Sequence, residues 1–337
     1  MNILIVGSFP TPIGGVTRHT SQLYQKLLNE DISTRKLKTN QSYLKLVVEF
    51  VKLIFKKPKL VHIHTSENLL VLIFSIFLFK LITNKLIISI HSGNFISKLN
   101  TPLNKLIFKL CVYQVNSIIF MNENQSNEII AKYPFFKNKI NYCSPFIFPE
   151  FNKMKYHLKK NSLEFNIISM GLWQQLYSYE DVIIELYSLA KKYPNKQFNY
   201  NLVISTAVLN LEYKKFIINQ INELTISNLN INILENMSNI FEILEKSDLL
   251  IRPTNIDSFG ICIAESLFVG TPVIATNVCN RAGKSILYSK KNSQELRLLI
   301  DNFINNGFSE LNNNFLIDDL ENGFFQILSN YNKILKN

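Results

Sequence analysis

The strongest constraint in this sequence is a rhythm. Short, unbroken apolar runs alternate with longer stretches of helical periodicity. Ile3–Val6, Leu60–Ile63, Leu86–Ile90 and Ser117–Phe120 are of the first kind, and Thr17–Leu28 and Leu69–Ile82 are of the second. An apolar run without in-out alternation suits a strand covered on both faces. Parallel strands need a crossover connection, and a helix is the usual one. The pattern therefore predicts a doubly wound, Rossmann-like α/β sheet.

The rhythm breaks at Pro145–Leu163, where Pro145, Pro149 and the polar run His157–Ser162 read as a linker. It then restarts, with strand candidates at Phe165–Ser169, Asn201–Ile204, Ile231–Leu234, Leu249–Ile251 and Pro272–Ala275. Helices are expected over Tyr179–Lys192, Leu211–Leu224 and Ile240–Lys246. The expected organisation is an N-terminal domain over 1–150, a second over 164–314, and a C-terminal helix over 315–337 with a return path to the first domain. A chain of 337 residues suits two such domains. Ligands of open parallel sheets bind at the carboxyl ends of the strands. Two sheets facing across a cleft would bring two ligands together, a geometry suited to group transfer.

Composition narrows the classes. Cys111, Cys143, Cys262 and Cys279 show no CxxC spacing and no accompanying His cluster, so neither a disulfide framework nor a zinc site is expected. His62 and His64 share one face of their strand, but with no third ligand in view no metal is expected. Met1-Asn2 runs directly into Ile3-Leu4-Ile5-Val6 and reads as a first buried strand, not as a signal peptide. Leu69–Phe79 is too short for a membrane span of about 20 residues and reads as a buried helix.

Lysine and arginine number 36 against 25 acids. Lys45, Lys52, Lys56, Lys57 and Lys59 interleave with Leu44, Val47, Val48, Val51, Leu53, Ile54 and Phe55. This amphipathic basic helix fits an anionic membrane surface and equally an ordinary solvated helix. No nucleic-acid motif accompanies the charge, so no nucleic-acid partner is expected.

Three segments carry polar chemistry. Gly14-Gly15-Val16 lies between the first strand and helix, where glycine lets a backbone approach a ligand and a helix start offers free amides. It is neither GxGxxG nor a Walker loop. His91 ends a strand, within His91-Ser92-Gly93. The third segment runs from Arg252 to Ala275 and reads as a polar loop, a helix from about Phe259 to Val269 with Asp257 or Ser258 as N-cap, a Gly270 cap and a strand. Asp257 and Glu265 are eight residues apart. On helical rise that is about 12 Å, wider than the roughly 5–9.5 Å of glycosidase carboxylate pairs. The spacing suits gripping both ends of a long ligand, with the first helical turn holding a diphosphate between them.

Asp257-Ser-Phe-Gly-x4-Glu265 followed by Gly270-Thr-Pro-Val-Ile274 resembles the retaining GT-B glycosyltransferases of the family-4 type, with Gly14-Gly15, His91-Ser92-Gly93 and Met170-Gly171 at the places of the family's other motifs. The resemblance implies two Rossmann-like domains facing across a cleft, the first on the acceptor side and the second binding the donor. It implies that Gly14 and Gly15 lie near the donor diphosphate and that His91 approaches the donor sugar. Asp257 would contact sugar hydroxyls, the Ser258, Phe259, Gly260 and Ile261 segment would meet sugar and phosphate, and Glu265 would hold the ribose. No metal or other cofactor is implied. The sequence departs in having Asp257 where Glu is usual, and in lacking the Gly-Arg and Lys-Gly cations after Gly171. Arg252, Arg281 and Lys284 are then the candidates to neutralise the diphosphate, Arg281 first.

The expected function is retaining transfer of a sugar from a nucleotide-diphosphate sugar to a glycan hydroxyl, on a lipid-linked acceptor in bacterial surface polysaccharide (O-antigen or capsule) synthesis. The expected place is the cytoplasm, peripheral on the inner face of the membrane. Two alternatives stand beside it. One is a catalytically weakened GT-B protein that binds a nucleotide sugar or a partner, and the other is a nucleotide-sugar epimerase.

Overall fold

The computed structural model describes residues 2–10, 14–66, 68–147, 163–283, 285–307 and 317–336, the last with side chains from 322 onward. The expected linker at 145–163 and the candidate Lys284 fall largely or wholly outside these residues. The chain forms two compact units.

The first unit contains β1 (Asn2–Gly7), α1 (Gly15–Asn29), β2 (Ser33–Lys38), α2 (Tyr43–Phe55), β3 (Leu60–Thr65), α3 (Leu69–Lys80), β4 (Leu86–Ile90), α4 (Phe95–Lys98), α5 (Pro102–Gln114), β5 (Ser117–Phe120), α6 (Glu123–Lys132) and β6 (Ile140–Tyr142). Its strands are parallel, in the order β2-β1-β3-β4-β5-β6. The second unit contains β7 (Glu164–Trp173), α7 (Tyr179–Lys192), β8 (Gln197–Leu209), α8 (Leu211–Glu223), β9 (Leu229–Glu235), α9 (Ile240–Glu245), β10 (Leu249–Arg252), α10 (Ile261–Val269), β11 (Val273–Thr276), β12 (Ile286–Tyr288) and α11 (Ser293–Asn306). It too is all parallel, in the order β12-β11-β10-β7-β8-β9. The final helix, α12 (Ile317–Lys336), belongs to the first unit from Asp318 onward.

Each unit is thus a doubly wound α/β sheet. In the first, Leu53 of α2, Ile76 of α3 and Phe108 of α5 share one core with Val61 and Ile88 of the sheet. Leu23 of α1 and Phe324, Ile327 and Tyr331 of α12 pack with Ile3, Ile5 and Ile87 in another. Side chains alternate across a strand, so these are the two faces of one sheet. The second unit's core runs from Ile167 and Leu202 to Val182, Leu186 and Ile300.

Three strands absent from the sequence reading are β2, β6 and β12. Each lies at the edge of its sheet. An edge strand is covered less and tolerates polar residues, so β2 reads Ser-Thr-Arg-Lys-Leu-Lys and carries no apolar run. α3 also departs from the reading of a buried helix. Leu69, Leu72, Ile73, Ile76 and Phe79 are buried, but Val71, Phe74 and Phe77 face outward and are more than half exposed.

Candidate active site

β10 and β11 are parallel neighbours, with Arg252 opposite Ala275. The segment between them leaves the carboxyl end of β10 and returns through α10. The helix begins at Ile261 rather than Phe259, and its N-cap is Gly260 instead of Asp257 or Ser258. Gly260 has φ +79°, a left-handed conformation that costs a side-chain-bearing residue about 1–2 kcal/mol. A Cβ there would also lie 3.0 Å from Arg281 Nη1 and 3.1 Å from Asp257 Oδ2. Gly260→Ala is therefore expected to destabilise the second unit by about 2 kcal/mol, read as a lower denaturation midpoint at unchanged slope. Residues 257–260 precede the helix, so the helical-rise separation of Asp257 and Glu265 does not apply.

The loop folds back so that Asp257 meets two arginines. Its Oδ2 lies 2.9 Å from both Nε and Nη2 of Arg252 and 2.8 Å from Nη1 of Arg281, while Oδ1 accepts from the Ser258 amide at 2.9 Å. Burial alone would raise the Asp257 pKa, but the Arg252 and Arg281 guanidiniums outweigh it and hold the carboxyl well below the usual carboxylate range. Asp257 is therefore the anion of a buried cluster, and Oδ2, its better-placed oxygen, is fully engaged.

This changes the roles expected of Asp257 and Arg281. A guanidinium has five N–H donors. In Arg281, Nε donates to the Thr276 carbonyl, Nη1 to Asp257 and the Phe259 carbonyl, and Nη2 to the Thr254 and Thr276 hydroxyls. Its side chain is 1% exposed. All five donors thus have protein partners, and Arg281 braces the loop. Asp257 is likewise held by the protein, through Oδ2 to both arginines and through Oδ1 to the Ser258 amide. Arg252 keeps more capacity, with Nε and Nη2 on Asp257 and Nη1 donating to the Met170 carbonyl, while the guanidinium lies 4.9 Å from the Tyr177 ring centroid.

The resemblance sets Met170-Gly171 at the place of a donor-side motif. Gly171 lies within β7, which continues to Trp173. The space beside its α-carbon is filled by the Tyr177 ring and the Tyr179 hydroxyl, so a Cβ would fall inside that ring. Gly171 is thus a packing glycine, and Tyr177 occupies the region that sequence reasoning reserved for a cation. Tyr177 stacks on Tyr179 with ring centroids 5.7 Å apart. The Tyr-Ser-Tyr spelling was the only available signal for this stack.

Glu265 is 1% exposed on α10, so its carboxyl faces the protein interior and not open solvent. Cys262, one turn earlier, feels the charges of Arg252, Glu265, Asp257 and Arg281, with burial as the largest influence on its raised pKa. Arg252, Asp257, Glu265 and Arg281 are thus gathered around the start of α10. Phe259 is buried, Ser258 is half-buried, and Ile261 opens the helix.

In the first unit Gly15 is the first residue of α1. His91 follows β4, and its amide donates to the Thr65 carbonyl at 2.9 Å. It is not alone. His64 Nδ1 lies 3.0 Å from His91 Nε2, and His19, on α1, has its ring centroid 4.9 Å from that of His91. His62 completes the group, 4.1 Å from His64 between ring centroids, with Nδ1 2.6 Å from Tyr331 Oη and Nε2 2.7 Å from Ser89 Oγ. Burial, followed by the neighbouring imidazoles, pushes His19 and His64 well below the ordinary histidine value. Burial and then His91 bring His62 down to about 3, and burial brings His91 to about 4. All four rings are neutral near pH 7. Sequence reasoning saw three of them and missed His19, since a histidine in a helix of mixed polarity carries no signal of what it faces.

Residues 173–315 match the family model described as glycosyl transferases group 1. The second unit is a group 1 glycosyltransferase domain. No curated protein matches the chain by sequence. Among solved structures, Anabaena HepE in complex with UDP is similar at 14% identity and TM-score 0.69, over 99% of this chain and 100% of that one. Sucrose-phosphate synthase from Thermosynechococcus elongatus is similar at 13% identity and TM-score 0.72, over all of both chains. TarM of S. aureus, in complex with fondaparinux, alpha-GlcNAc-glycerol and UDP, is similar at 14% identity and TM-score 0.61, over 86% of this chain and 58% of that one. These likenesses show the GT-B fold. The group 1 domain places the Asp257–Glu265 segment and its two arginines at its own strand ends.

Proposed function

We propose that this protein is a retaining glycosyltransferase that moves a sugar from a nucleotide-diphosphate sugar to a glycan hydroxyl. The observation that carries the reading is the start of α10. There a left-handed Gly260, the first-turn amides and the buried Glu265 stand at the carboxyl end of β10 in a group 1 domain. The amides and the remaining donors of Arg252 receive the diphosphate, Glu265 holds the ribose, and His91 meets the sugar. Charge that develops on the departing diphosphate is met by these fixed donors, without a metal.

The test is a thermal-shift screen of nucleotide sugars on the native protein and on Glu265→Gln. UDP sugars come first because HepE and TarM were solved with UDP. Stabilisation follows ligand concentration relative to Kd. A hydrogen bond to a charged group contributes about 1.5–3 kcal/mol, so Glu265→Gln should weaken the donor by roughly 10- to 100-fold. Equal stabilisation of both proteins would remove the ribose assignment. The saturation of Arg281 favours one second reading, a GT-B protein that binds a donor without turnover. Product formation from donor and acceptor extract separates the two.

The acceptor is proposed to be a lipid-linked glycan of bacterial surface polysaccharide, met at the cytoplasmic face of the membrane. α2, α3 and α5 cover the same side of the first sheet, and the Phe50 and Phe79 rings of α2 and α3 are in contact at 5.6 Å. Their outer surfaces expose Leu44, Phe55, Val71, Phe74, Leu103 and Leu106, each by more than half. Lys45, Lys52, Lys80, Lys105 and Lys109 lie on the same helices, against the one carboxylate of Glu49. Exposed apolar side chains among lysines suit an anionic lipid headgroup layer. Among the described residues no helix is long and apolar enough to cross a membrane.

A further inference from the structure

We propose that His19, His64 and His91 form a binding site for one borderline divalent cation, with Zn2+ as the probe. The three residues come from α1, the carboxyl-terminal part of β3 and the residue after β4, so three separate elements converge on one point. One ring nitrogen from each lies within 4.8 Å of the other two. Tetrahedral coordination with Zn–N bonds of about 2.0–2.1 Å sets ligand nitrogens about 3.3 Å apart. Closing of under about 1 Å per ring therefore completes the site.

Two further observations point to a ligand. Nε2 of His19 and Nε2 of His64 are buried and have no hydrogen-bond partner among the described residues. Buried polar atoms in folded proteins are normally satisfied, and two unsatisfied imidazole nitrogens in one histidine cluster call for an explanation. His64 Nδ1 also lies 3.0 Å from His91 Nε2, close to the spacing of two nitrogens on one tetrahedral ion. His62 stands outside the set because Tyr331 and Ser89 occupy both its nitrogens, and it packs against His64 from behind. His91 is the partly exposed member, so an ion enters past it and a fourth position stays open for water. Three imidazoles without a carboxylate select Zn2+, Cu2+, Ni2+ or Co2+ over Mg2+ and Ca2+.

One consequence rests on the proposed function. A cation that takes a nitrogen of His91 withdraws it from the donor sugar. Micromolar Zn2+ should then inhibit transfer, with recovery on adding a chelator.

The site itself is tested without donor. Untagged protein is dialysed against Zn2+ and the bound metal quantified, and Co2+ is titrated in parallel for the visible absorption of a low-symmetry nitrogen site. One Zn2+ per chain at low-micromolar concentration is expected, with a rise in Tm. His19→Phe keeps the ring volume beside Phe146, whose centroid is 4.5 Å away, and should weaken binding by about 100-fold or more. His64→Gln serves as the second variant should the first misfold. No bound metal at 100 times protein concentration, or unchanged stoichiometry and affinity in both folded variants, overturns the proposal. A donor screen that finds no nucleotide sugar would undo the functional reading and leave this measurement standing.

Discussion

Asp257→Asn is expected to lower the stability of the second unit by about 3–5 kcal/mol, a fall in Tm of about 10 °C for a unit of this size. The substitution is nearly isosteric, so packing is unchanged. What it removes is the one carboxylate between Arg252 and Arg281, whose side chains are 9% and 1% exposed. Two guanidiniums would then stand side by side in a poorly solvated place. Removing one member of a buried ion pair is costly because the other is left uncompensated. The wild-type cluster should show the matching pH dependence. A carboxyl whose folded pKa is depressed contributes stability that is full above its unfolded value of about 3.9 and is lost as pH falls below it. In Asp257→Asn that acid-side loss should shrink. The outcome separates two roles for this residue. A sugar-gripping Asp257 would cost turnover while leaving the unfolding midpoint within about 1 °C, whereas a bracing Asp257 must cost both, because the Gly260 turn and the start of α10 depend on it.

The same cluster marks where the sequence stopped being legible. The apolar rhythm was enough for the central strands, since a strand buried on both faces must be continuously apolar. It missed β2, β6 and β12, whose edge positions relax that demand. Within the site, the reading found Asp257, Arg252 and Arg281 but not that they pair with one another. Arg281 and Asp257 are 24 residues apart and meet only because β10 and β11 are parallel neighbours with Arg252 opposite Ala275. Pairing register is not written in either strand alone. The buried threonines Thr254 and Thr276, joined by a hydrogen bond of 2.6 Å from the Thr276 hydroxyl to the Thr254 carbonyl, were invisible for the same reason. His19 was invisible because its partners come from β3 and β4.

The outward face of α3 gives the other large expected effect. Val71, Phe74 and Phe77 are 62%, 72% and 51% exposed. They lie at three-residue spacing on a helix that also turns Leu72, Ile73 and Ile76 inward, so the helix is apolar all round. A helix of that kind is normally covered on every side. Each large apolar side chain contributes about 1.5–3 kcal/mol when fully withdrawn from water, and an interface that buries these three halfway still accounts for more than about 2.5 kcal/mol. Val71→Gln, Phe74→Gln and Phe77→Gln combined should thus reduce partitioning onto anionic vesicles by about 100-fold. Glutamine keeps the helix, being a good helix former, and the variant's Tm should not fall, since no buried contact is removed. The lysines supply the complementary test. Their attraction to anionic lipid weakens over a Debye length of about 8 Å at physiological salt, so raising salt should weaken wild-type binding while the triple variant stays poorly bound at every salt concentration. Wild-type protein that ignores anionic vesicles, or a triple variant that sediments with them as well as wild type, would show that this face meets something other than a lipid surface.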